Sequence, residues 1–182
     1  MQVTIRNYQP ADRRHLARCL DAISDYTAGL DPWHRRVRTP DHSARWIPFF
    51  LALVARNHGF ILVAEADGQA AGVAIAWTYR MTGPDQTKNL PTKIGSVSEL
   101  SVLPSWRGKG IGTRLLRECE GRFRSSGCDQ LNLSAFAHNR KALHLYAREG
   151  YEARYLVMGK QLGPPKLRWA RARTKPRRTS SC

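Results

Sequence analysis

The sequence is poor in acidic residues, has few cysteines and lacks any long apolar run. Its 182 residues include 14 Asp and Glu against 30 Lys and Arg, a formal net charge of +16. The longest apolar stretch, Ile47 to Ala55, has nine residues and contains Pro48, whereas a membrane-spanning helix needs about 20. The sequence therefore predicts no membrane span, and the amino terminus lacks the basic start and apolar block of a secretory signal.

The four cysteines, Cys19, Cys119, Cys128 and Cys182, show no C-x-x-C spacing and no accompanying histidines. Such spacing is typical of zinc sites and redox motifs, so we expect neither a metal site nor a disulfide framework. Free thiols favour a reducing compartment and indicate a cytoplasmic protein. No local signature pairs a cysteine with a base, which argues against a cysteine nucleophile.

Length and composition predict one domain followed by a tail. The chain is long enough for a single α/β core and too short for two ordinary domains. From Pro164 onward it carries seven basic residues and no acidic one. We predict a domain over residues 1–163 and a disordered basic tail over residues 164–182. The tail either contacts nucleic acid or a ribosome, because phosphate attraction needs no fold, or binds nothing specific.

Hydrophobic periodicity predicts an alternation of strands and helices. Asp67-Gly68 between two β-rich runs is a strong hairpin signal, and the polar segment from Arg80 to Lys93 is long enough for a functional loop over an acceptor pocket. The predicted strands are Val3 to Tyr8, Phe60 to Ala66, Ala70 to Tyr79, Val97 to Val102, Leu131 to Ser134, and a last strand or strand pair from Ala153 to Leu162. Helices are predicted around His15 to Ala22, after Pro40-Asp41, from the glycines at 108–112 to Gly127, and from Asn139 to Gly150.

The stretch from Val97 to Leu116 combines a strand, a glycine-rich turn and a helix start. The turn reads R-G-K-G-I-G from Arg107 to Gly112. Glycines let the backbone approach a ligand, and the first amides of a helix have no intrahelical partners. Together they indicate a phosphate site at the positive end of a helix dipole.

The spacing of these glycines excludes two common phosphate motifs. It lacks the third interval of G-x-G-x-x-G, and no Lys-Ser or Lys-Thr follows as in the NTPase loop. The remaining pattern is R-x-x-G-x-G after a strand ending V-L-P, with its fixed positions filled by Arg107, Gly110 and Gly112. It resembles the acetyl-CoA-binding motif of the GCN5-related N-acetyltransferase (GNAT) superfamily, in which this turn holds the pyrophosphate of coenzyme A.

A second segment, from Asn139 to Tyr151, strengthens the resemblance. In the superfamily the matching pattern is N-x-x-A-x-x-L-Y-x-x-x-G-[FY]. Every fixed position is filled here, by Asn139, Ala142, Leu145, Tyr146, Gly150 and Tyr151. The resemblance covers the chain from about Met1 to Leu162 and is strongest from Ser96 to Tyr151.

The resemblance implies an α/β (α+β) fold. Its expected core is a mixed, mostly antiparallel sheet of six to seven strands flanked by about four helices, with splayed central strands that bind acetyl-CoA. It also implies direct acetyl transfer from acetyl-CoA to an amine in a ternary complex, without a metal. The cofactor-binding residues that it implies are Leu100, Ser101, Val102, Arg107, Gly108, Lys109, Gly110, Ile111, Gly112, Thr113 and Asn139.

Two residues match catalytic positions of the superfamily. Tyr146 is expected near the sulfur as general acid, with a core tyrosine as the alternative. Glu99 is expected to draw a proton from the amine, or else to point away and pair with an arginine. For the acceptor side, Tyr26, Trp33 and Trp46 are candidates for lining the site, although Trp46 also fits a core position.

The acceptor itself is not specified by the sequence. The basic body disfavours highly cationic acceptors, so we expect a small amine, or an amino group on a neutral or acidic molecule or peptide. The alternative function is a non-catalytic acyl-CoA sensor or adaptor with a nucleic-acid-binding tail. A homodimer is among the assemblies that the sequence allows.

Overall fold

A computed structural model describes residues 1–36, 39, 41–80 and 93–163. The strands are β1 (Val3–Asn7), β2 (Phe60–Ala66), β3 (Gln69–Arg80), β4 (Lys93–Val102) and β5 (Gln130–Leu133). The helices are α1 (Arg13–Ala28), α2 (His42–Arg56), α3 (Ile111–Ser125) and α4 (Arg140–Arg148). Single 3₁₀ turns at Pro10–Asp12 and Pro104–Trp106 precede α1 and α3.

The described strands form one sheet in the order β1-β2-β3-β4-β5. The first four are antiparallel to their neighbours, and β5 pairs parallel to β4. Parallel pairing requires a crossover, which α3 supplies between the two strands. The mixed, mostly antiparallel sheet and its four helices confirm the predicted fold class, with five strands in the described residues where six to seven were expected.

Both faces of the sheet are covered. Alternate residues of β2 divide between two cores: Ile61 and Val63 pack with α1 and α2, while Leu62 and Ala64 pack with α3. Because strand side chains alternate between faces, a strand buried on both sides reads as a continuous apolar run. This explains the sequence F-I-L-V-A at the start of β2.

Helix α3 places the glycine-rich turn against the sheet. Its buried side chains recur along one face, so the helix is fixed in rotation as well as in position. They are Ile111, Leu115, Leu116, Cys119 and Phe123. Each fully buried leucine stabilises the packing by about 1.5–3 kcal/mol. The start of α3, and the turn before it, are therefore held rigidly beside the end of β4.

One predicted segment differs from the structure, and two others lie mostly outside the described residues. Residues 153–162, predicted as a last strand or strand pair, contain no helix or strand, and Tyr155 and Val157 are 83% and 95% exposed. Alternating apolar residues specify a strand only where a partner strand completes the hydrogen bonds, and the pattern cannot supply that partner. The predicted loop over the acceptor pocket falls mostly on residues 81–92, and the predicted tail on residues 164–182, both outside the described residues.

Candidate active site

Strands β4 and β5, at one edge of the described sheet, stop pairing part-way along β4. Their pairing ends where Val97 lies opposite Leu133, while β4 stays paired with β3 as far as Val102. Beyond Val97, main-chain groups of β4 on the side of β5 have no strand to pair with. An unpaired main-chain donor or acceptor is costly when buried. These groups are therefore available to pair with a bound ligand.

A β-bulge lies at the point of separation. Val97 and Glu99 pair with Ala76 and Ile75, which are consecutive residues of β3, so Ser98 is an extra residue in β4. A bulge bends its strand and redirects the side chains that follow. The bulge therefore lies at the end of the β4–β5 ladder, beside the stretch of β4 where the resemblance implied that the strands splay.

The separation opens a cleft of about 850 Å³. Its walls come from α1, α2, the bulged end of β4, the glycine-rich turn, the loop after β5 and α4. The residues from the predicted site that line it are Tyr26, Trp46, Glu99, Leu100, Val102, Arg107, Gly108, Gly110, Ile111, Gly112, Thr113, Asn139 and Tyr146. Trp46 is 42% exposed, so it lies in the cleft wall and outside the buried core.

Three residues of the predicted site do not line the cleft. The Ser101 hydroxyl is buried and donates to the main-chain oxygen of Cys19 at 2.9 Å. Lys109 turns its ammonium onto the ring of Trp106, 4.6 Å from the centroid. Trp33 belongs to the loop after α1, where its main-chain N–H donates to Asp31. The side chains of Ser101 and Lys109 are thus directed to partners within the protein, while Trp33 is 38% exposed.

The glycine-rich turn has the conformation expected of an anion site. Gly108 and Gly110 have φ values of +75° and +78°, in the left-handed region that favours glycine. Gly110 is the N-cap of α3, and the first residues of that helix, Ile111 to Thr113, line the cleft. Arg107 secures the turn to β4, because its Nε donates to the main-chain oxygen of Val102 at 2.9 Å.

Glu99 and Tyr146 are the titratable residues of the cleft with shifted pKa values. Burial raises the pKa of Glu99 to about 7, against the smaller lowering effect of the positive charge of Arg36. Burial also raises the pKa of Tyr146, and the negative charge of Glu99 adds to this rise. Near pH 7 the site thus pairs a carboxyl group poised between its two protonation states with a phenol that keeps its proton.

Tyr26 connects the two sides of the cleft. Its hydroxyl donates to Oδ1 of Asn139 at 3.2 Å, and its ring lies under the guanidinium of Arg107, 4.9 Å from the centroid. The same Asn139 oxygen accepts from the main-chain N–H of Ala142 at 3.3 Å and so caps α4. The end of α1 is therefore in contact with both the glycine-rich turn and the start of α4.

The buried cysteines Cys19 and Cys119 do not line the cleft. Cys19 and Cys119 are buried in the two cores, and burial raises the pKa of each thiol to about 12. A thiol with so high a pKa is a poor nucleophile. Within the described ranges no group of three or more His, Cys, Asp and Glu side chains could hold a metal ion, and no described helix is long and apolar enough to cross a membrane.

Comparison with known families identifies this arrangement. The sequence model of the acetyltransferase (GNAT) family matches residues 24–151, which include all the residues that line the cleft except Leu20 and Ile23. The chain belongs to the GNAT family. The resemblance of the glycine-rich turn and of the Asn139–Tyr151 segment to GNAT motifs is thereby confirmed.

Individual relatives agree with this membership. The chain is 30% identical over 106 residues to the uncharacterized N-acetyltransferase YdgE of Bacillus subtilis (strain 168), covering 58% of this chain and 62% of that protein. It is 39% identical over 69 residues to the aminoalkylphosphonate N-acetyltransferase of Salmonella typhimurium, covering 38% and 45%. The chain thus spans less than two thirds of either relative.

Solved structures share the fold. A predicted acetyltransferase with acetyl-CoA from Clostridium acetobutylicum has a TM-score of 0.63, with 87% of this chain and 96% of that chain covered. Its sequence identity to this chain is 17%, so the likeness shows the GNAT fold alone.

The GNAT cleft also contains basic residues that the sequence reasoning missed. Lys141, His144 and Arg148 line it from α4, and Arg148 donates to the Thr113 hydroxyl at 3.4 Å. Their spacing of three and four residues places them on one helical face. This spacing is the sequence signal that could have identified the three residues. The face of α4 that carries them lies beside the glycine-rich turn of the GNAT motif.

The acceptor side contains a second group of missed residues. Arg36, His42, Phe50 and Phe136 line the cleft together with Trp46. His42, Trp46 and Phe50 are four residues apart on α2, but no sequence spacing connects them with Arg36 in the loop after α1 or with Phe136 in the loop after β5. Only the tertiary fold brings them to the same cavity as Glu99.

Proposed function

We propose that this chain is an acetyl-CoA-dependent N-acetyltransferase that transfers acetyl directly to a primary amine of a small molecule or peptide in a ternary complex. The observation that carries the proposal is the pairing of Glu99 and Tyr146 in one cleft beside the glycine-rich turn. Their pKa directions suit a base and an acid that act near pH 7. Membership of the GNAT family supports acetyl transfer as the reaction.

The cleft residues fit acetyl-CoA. Amides at the start of α3, with Gly108 and Gly110, suit its pyrophosphate. The cationic side chains of Lys141 and Arg148 suit the remaining negative charge. Unpaired main-chain groups of β4 beyond Val97 suit the amides of the pantetheine arm. When bound, acetyl-CoA supplies the thioester whose acetyl group is transferred.

Two proton movements accompany the transfer. The carbon–nitrogen bond forms as the carbon–sulfur bond breaks, so the amine must lose a proton and the sulfur must gain one. Glu99 takes the proton from the amine through a carboxylate oxygen, and the Tyr146 hydroxyl gives its proton to the sulfur. Exchange with solvent then returns both side chains to their starting states. A main-chain N–H near Leu100 would polarise the acetyl carbonyl.

A small amine is the preferred acceptor. One relative is named for acetylating an aminoalkylphosphonate, which is a small-molecule amine. A net charge of +16 over the chain disfavours polyamines, because like charges slow their approach. The peptide alternative remains within the proposal and is separated from small molecules by the assay.

The test is thiol release from acetyl-CoA with a panel of amines. The panel spans amino acids, aminoalkylphosphonates, aminoglycosides, polyamines and short peptides, and product masses confirm N-acetylation. We expect turnover on one class of small amine. If acetyl-CoA binds but no amine is acetylated, the proposed function is wrong and a non-catalytic acyl-CoA-binding role replaces it.

The glycine-rich turn gives a separate prediction. Gly110→Ala forces a side chain into the left-handed region, at a cost of roughly 1–2 kcal/mol, although a Cβ there would meet no atom within 4 Å. We expect the dissociation constant for coenzyme A, measured by calorimetry, to rise about tenfold as the turn changes conformation.

Gly121→Ala is the matched control. Gly121 lies within α3, where an added Cβ also meets nothing within 4 Å. Alanine there should stabilise the helix by about 0.5–1 kcal/mol without changing coenzyme binding. Equal affinities for the two variants would show that the turn conformation does not hold the coenzyme.

A further inference from the structure

The acceptor side of the cleft combines aromatic walls with one guanidinium. Trp46, Phe50 and Phe136 supply the aromatic surface, and Arg36 supplies the positive charge. Glu99 faces the same cavity. A cavity with few polar groups among aromatic side chains is typical of a small-molecule site, in which the polar groups fix orientation.

The backbone of Arg36 is fixed by a buried carboxylate. Asp31 is 8% exposed, and its Oδ2 accepts from the main-chain N–H groups of Arg35 at 2.8 Å and Arg36 at 3.0 Å. Its Oδ1 accepts from the N–H of Trp33 at 3.0 Å. These hydrogen bonds fix the conformation of the loop, so the Cα of Arg36 has a defined position at the edge of the cleft.

The guanidinium of Arg36 is held from two sides. Its Nη1 donates to the Thr27 hydroxyl on α1 at 3.3 Å, and its carbon lies 4.9 Å from the ring centroid of Phe136 in the loop after β5. The hydrogen bond uses one of the five N–H donors of the group. A guanidinium stacked on a ring keeps its in-plane donors directed outward, where they can reach a carboxylate or phosphonate.

The charge of Arg36 acts at the position where the amine must react. The positive charge of Arg36 lowers the pKa of Glu99, so the two side chains interact electrostatically within the cleft. An amine approaches as an ammonium ion, which Glu99 attracts and Arg36 repels. An acceptor with an anionic group beside its amine satisfies both residues, whereas a purely cationic amine satisfies only Glu99.

We infer that Arg36 selects acceptors in which a primary amine and a carboxylate or phosphonate belong to the same small molecule. The inference rests on the proposed function and specifies its substrate class. Arg36 binds the anionic group, Glu99 receives the amine, and the aromatic walls hold the apolar body between them. Amino acids with apolar side chains and short aminophosphonates have this chemistry.

Matched pairs of amines test the inference. L-Phenylalanine is compared with 2-phenylethylamine, and 2-aminoethylphosphonate with ethanolamine, so that each pair differs in its anionic group. We expect the anionic member to have the higher kcat/KM, by about 10- to 100-fold for a charge-assisted contact. The two pairs separate a carboxylate preference from a phosphonate preference.

Arg36→Ala should remove this discrimination by raising the KM of the anionic member about 10- to 100-fold, with little change for the amine that lacks the anionic group or for acetyl-CoA. Arg36→Lys should restore part of it, because the charge remains and the fork geometry is lost. Arg35→Ala is the control, since Arg35 is exposed and does not line the cleft. Thermal unfolding checks that each variant is folded.

Two results would overturn the inference. One is equal kcat/KM within both pairs in the wild-type protein. The other is a loss of acetyl-CoA affinity in Arg36→Ala as large as the loss for the amine, which would assign the guanidinium to the coenzyme. If no amine turns over at all, the proposed function fails, and calorimetry of the same pairs with coenzyme A present still decides the role of Arg36 from binding.

Discussion

Replacing Tyr146 with phenylalanine is expected to lower kcat for amine acetylation by about 10²-fold, the effect typical of losing a general acid. Burial and the charge of Glu99 both raise the pKa of Tyr146, so its hydroxyl holds a proton at neutral pH and can give it to a departing thiolate. The ring packs against Tyr151 at a centroid distance of 5.9 Å and is retained in the variant. Steady-state kinetics with saturating acetyl-CoA measure the change, and calorimetry should show unchanged coenzyme affinity.

Tyr151→Phe is the matched control for this variant. The Tyr151 hydroxyl donates to Glu120 at 2.8 Å, and Tyr151 is not among the residues that line the cleft. Loss of this hydrogen bond should reduce the free energy of unfolding by about 1 kcal/mol and leave kcat unchanged. The reverse pattern, with activity lost in Tyr151→Phe and kept in Tyr146→Phe, would contradict the acid role of Tyr146.

Replacing Glu99 with glutamine should remove the titrating base of the reaction. We expect acetylation to fall by about 10²- to 10⁴-fold at pH 8. Because the pKa of Glu99 is raised to about 7, the ratio of wild-type to variant kcat/KM should rise with pH below 7 and level off above it. The ratio cancels the ionisation of the amine, which affects both proteins equally. A ratio independent of pH would show that Glu99 is not the base.

The same substitution should stabilise the fold at high pH. The folded-state pKa of Glu99, about 7, lies above the ordinary value of 4.5, so its contribution to stability is present below pH 4.5 and is lost as the pH rises through 7. At pH 8 the buried carboxylate costs on the order of 3 kcal/mol. Glutamine avoids that cost, so Glu99→Gln should unfold at a higher temperature than wild type at pH 8 and at nearly the same temperature at pH 4.5.

Glu118→Gln provides the comparison for both measurements. Glu118 pairs with Arg122 at 2.8 Å on α3, with its side chain 42% exposed, and such exposed pairs contribute little to stability. It should change neither the pH profile nor the stability at pH 8. The expected result is that Glu99→Gln is more stable than wild type but inactive, while Glu118→Gln changes neither stability nor activity. This would show that the Glu99 carboxylate lowers stability while it is needed for activity.

Most helices and strands were predictable because their signals are local. The hairpin at Asp67-Gly68 joins β2 and β3 as expected, and Gly127 and Gly150, which follow α3 and α4, have left-handed φ values of +76° and +86°. Strand β4 begins at Lys93, earlier than the alternation from Val97 predicted. Pairing with β3 extends it, and a partner strand is a long-range property that one segment of sequence does not contain.

The residues of the candidate site fall into the same two groups, those with a local sequence signal and those that only long-range contacts bring together. Residues of the glycine-rich turn and of α4 were predictable, since a helix start, its glycines and its cap are set within a few residues of each other. Arg36 and Phe136 are one hundred residues apart in the sequence and meet at 4.9 Å. Neither lies in a motif or a periodic run, so only the packing of α1 against the sheet identifies them.

The bulge at Ser98 has a consequence for the dynamics of the fold. The middle of a sheet is ordinarily the part whose amide hydrogens exchange most slowly with solvent, because opening it requires global unfolding. Here the ladder between β4 and the edge strand β5 stops at Val97 and Leu133, so the amides of β4 beyond Val97 that face away from β3 are weakly protected. A ligand lying along the exposed edge of β4 would act as a short additional strand, and part of its binding energy would appear as stability of the fold itself.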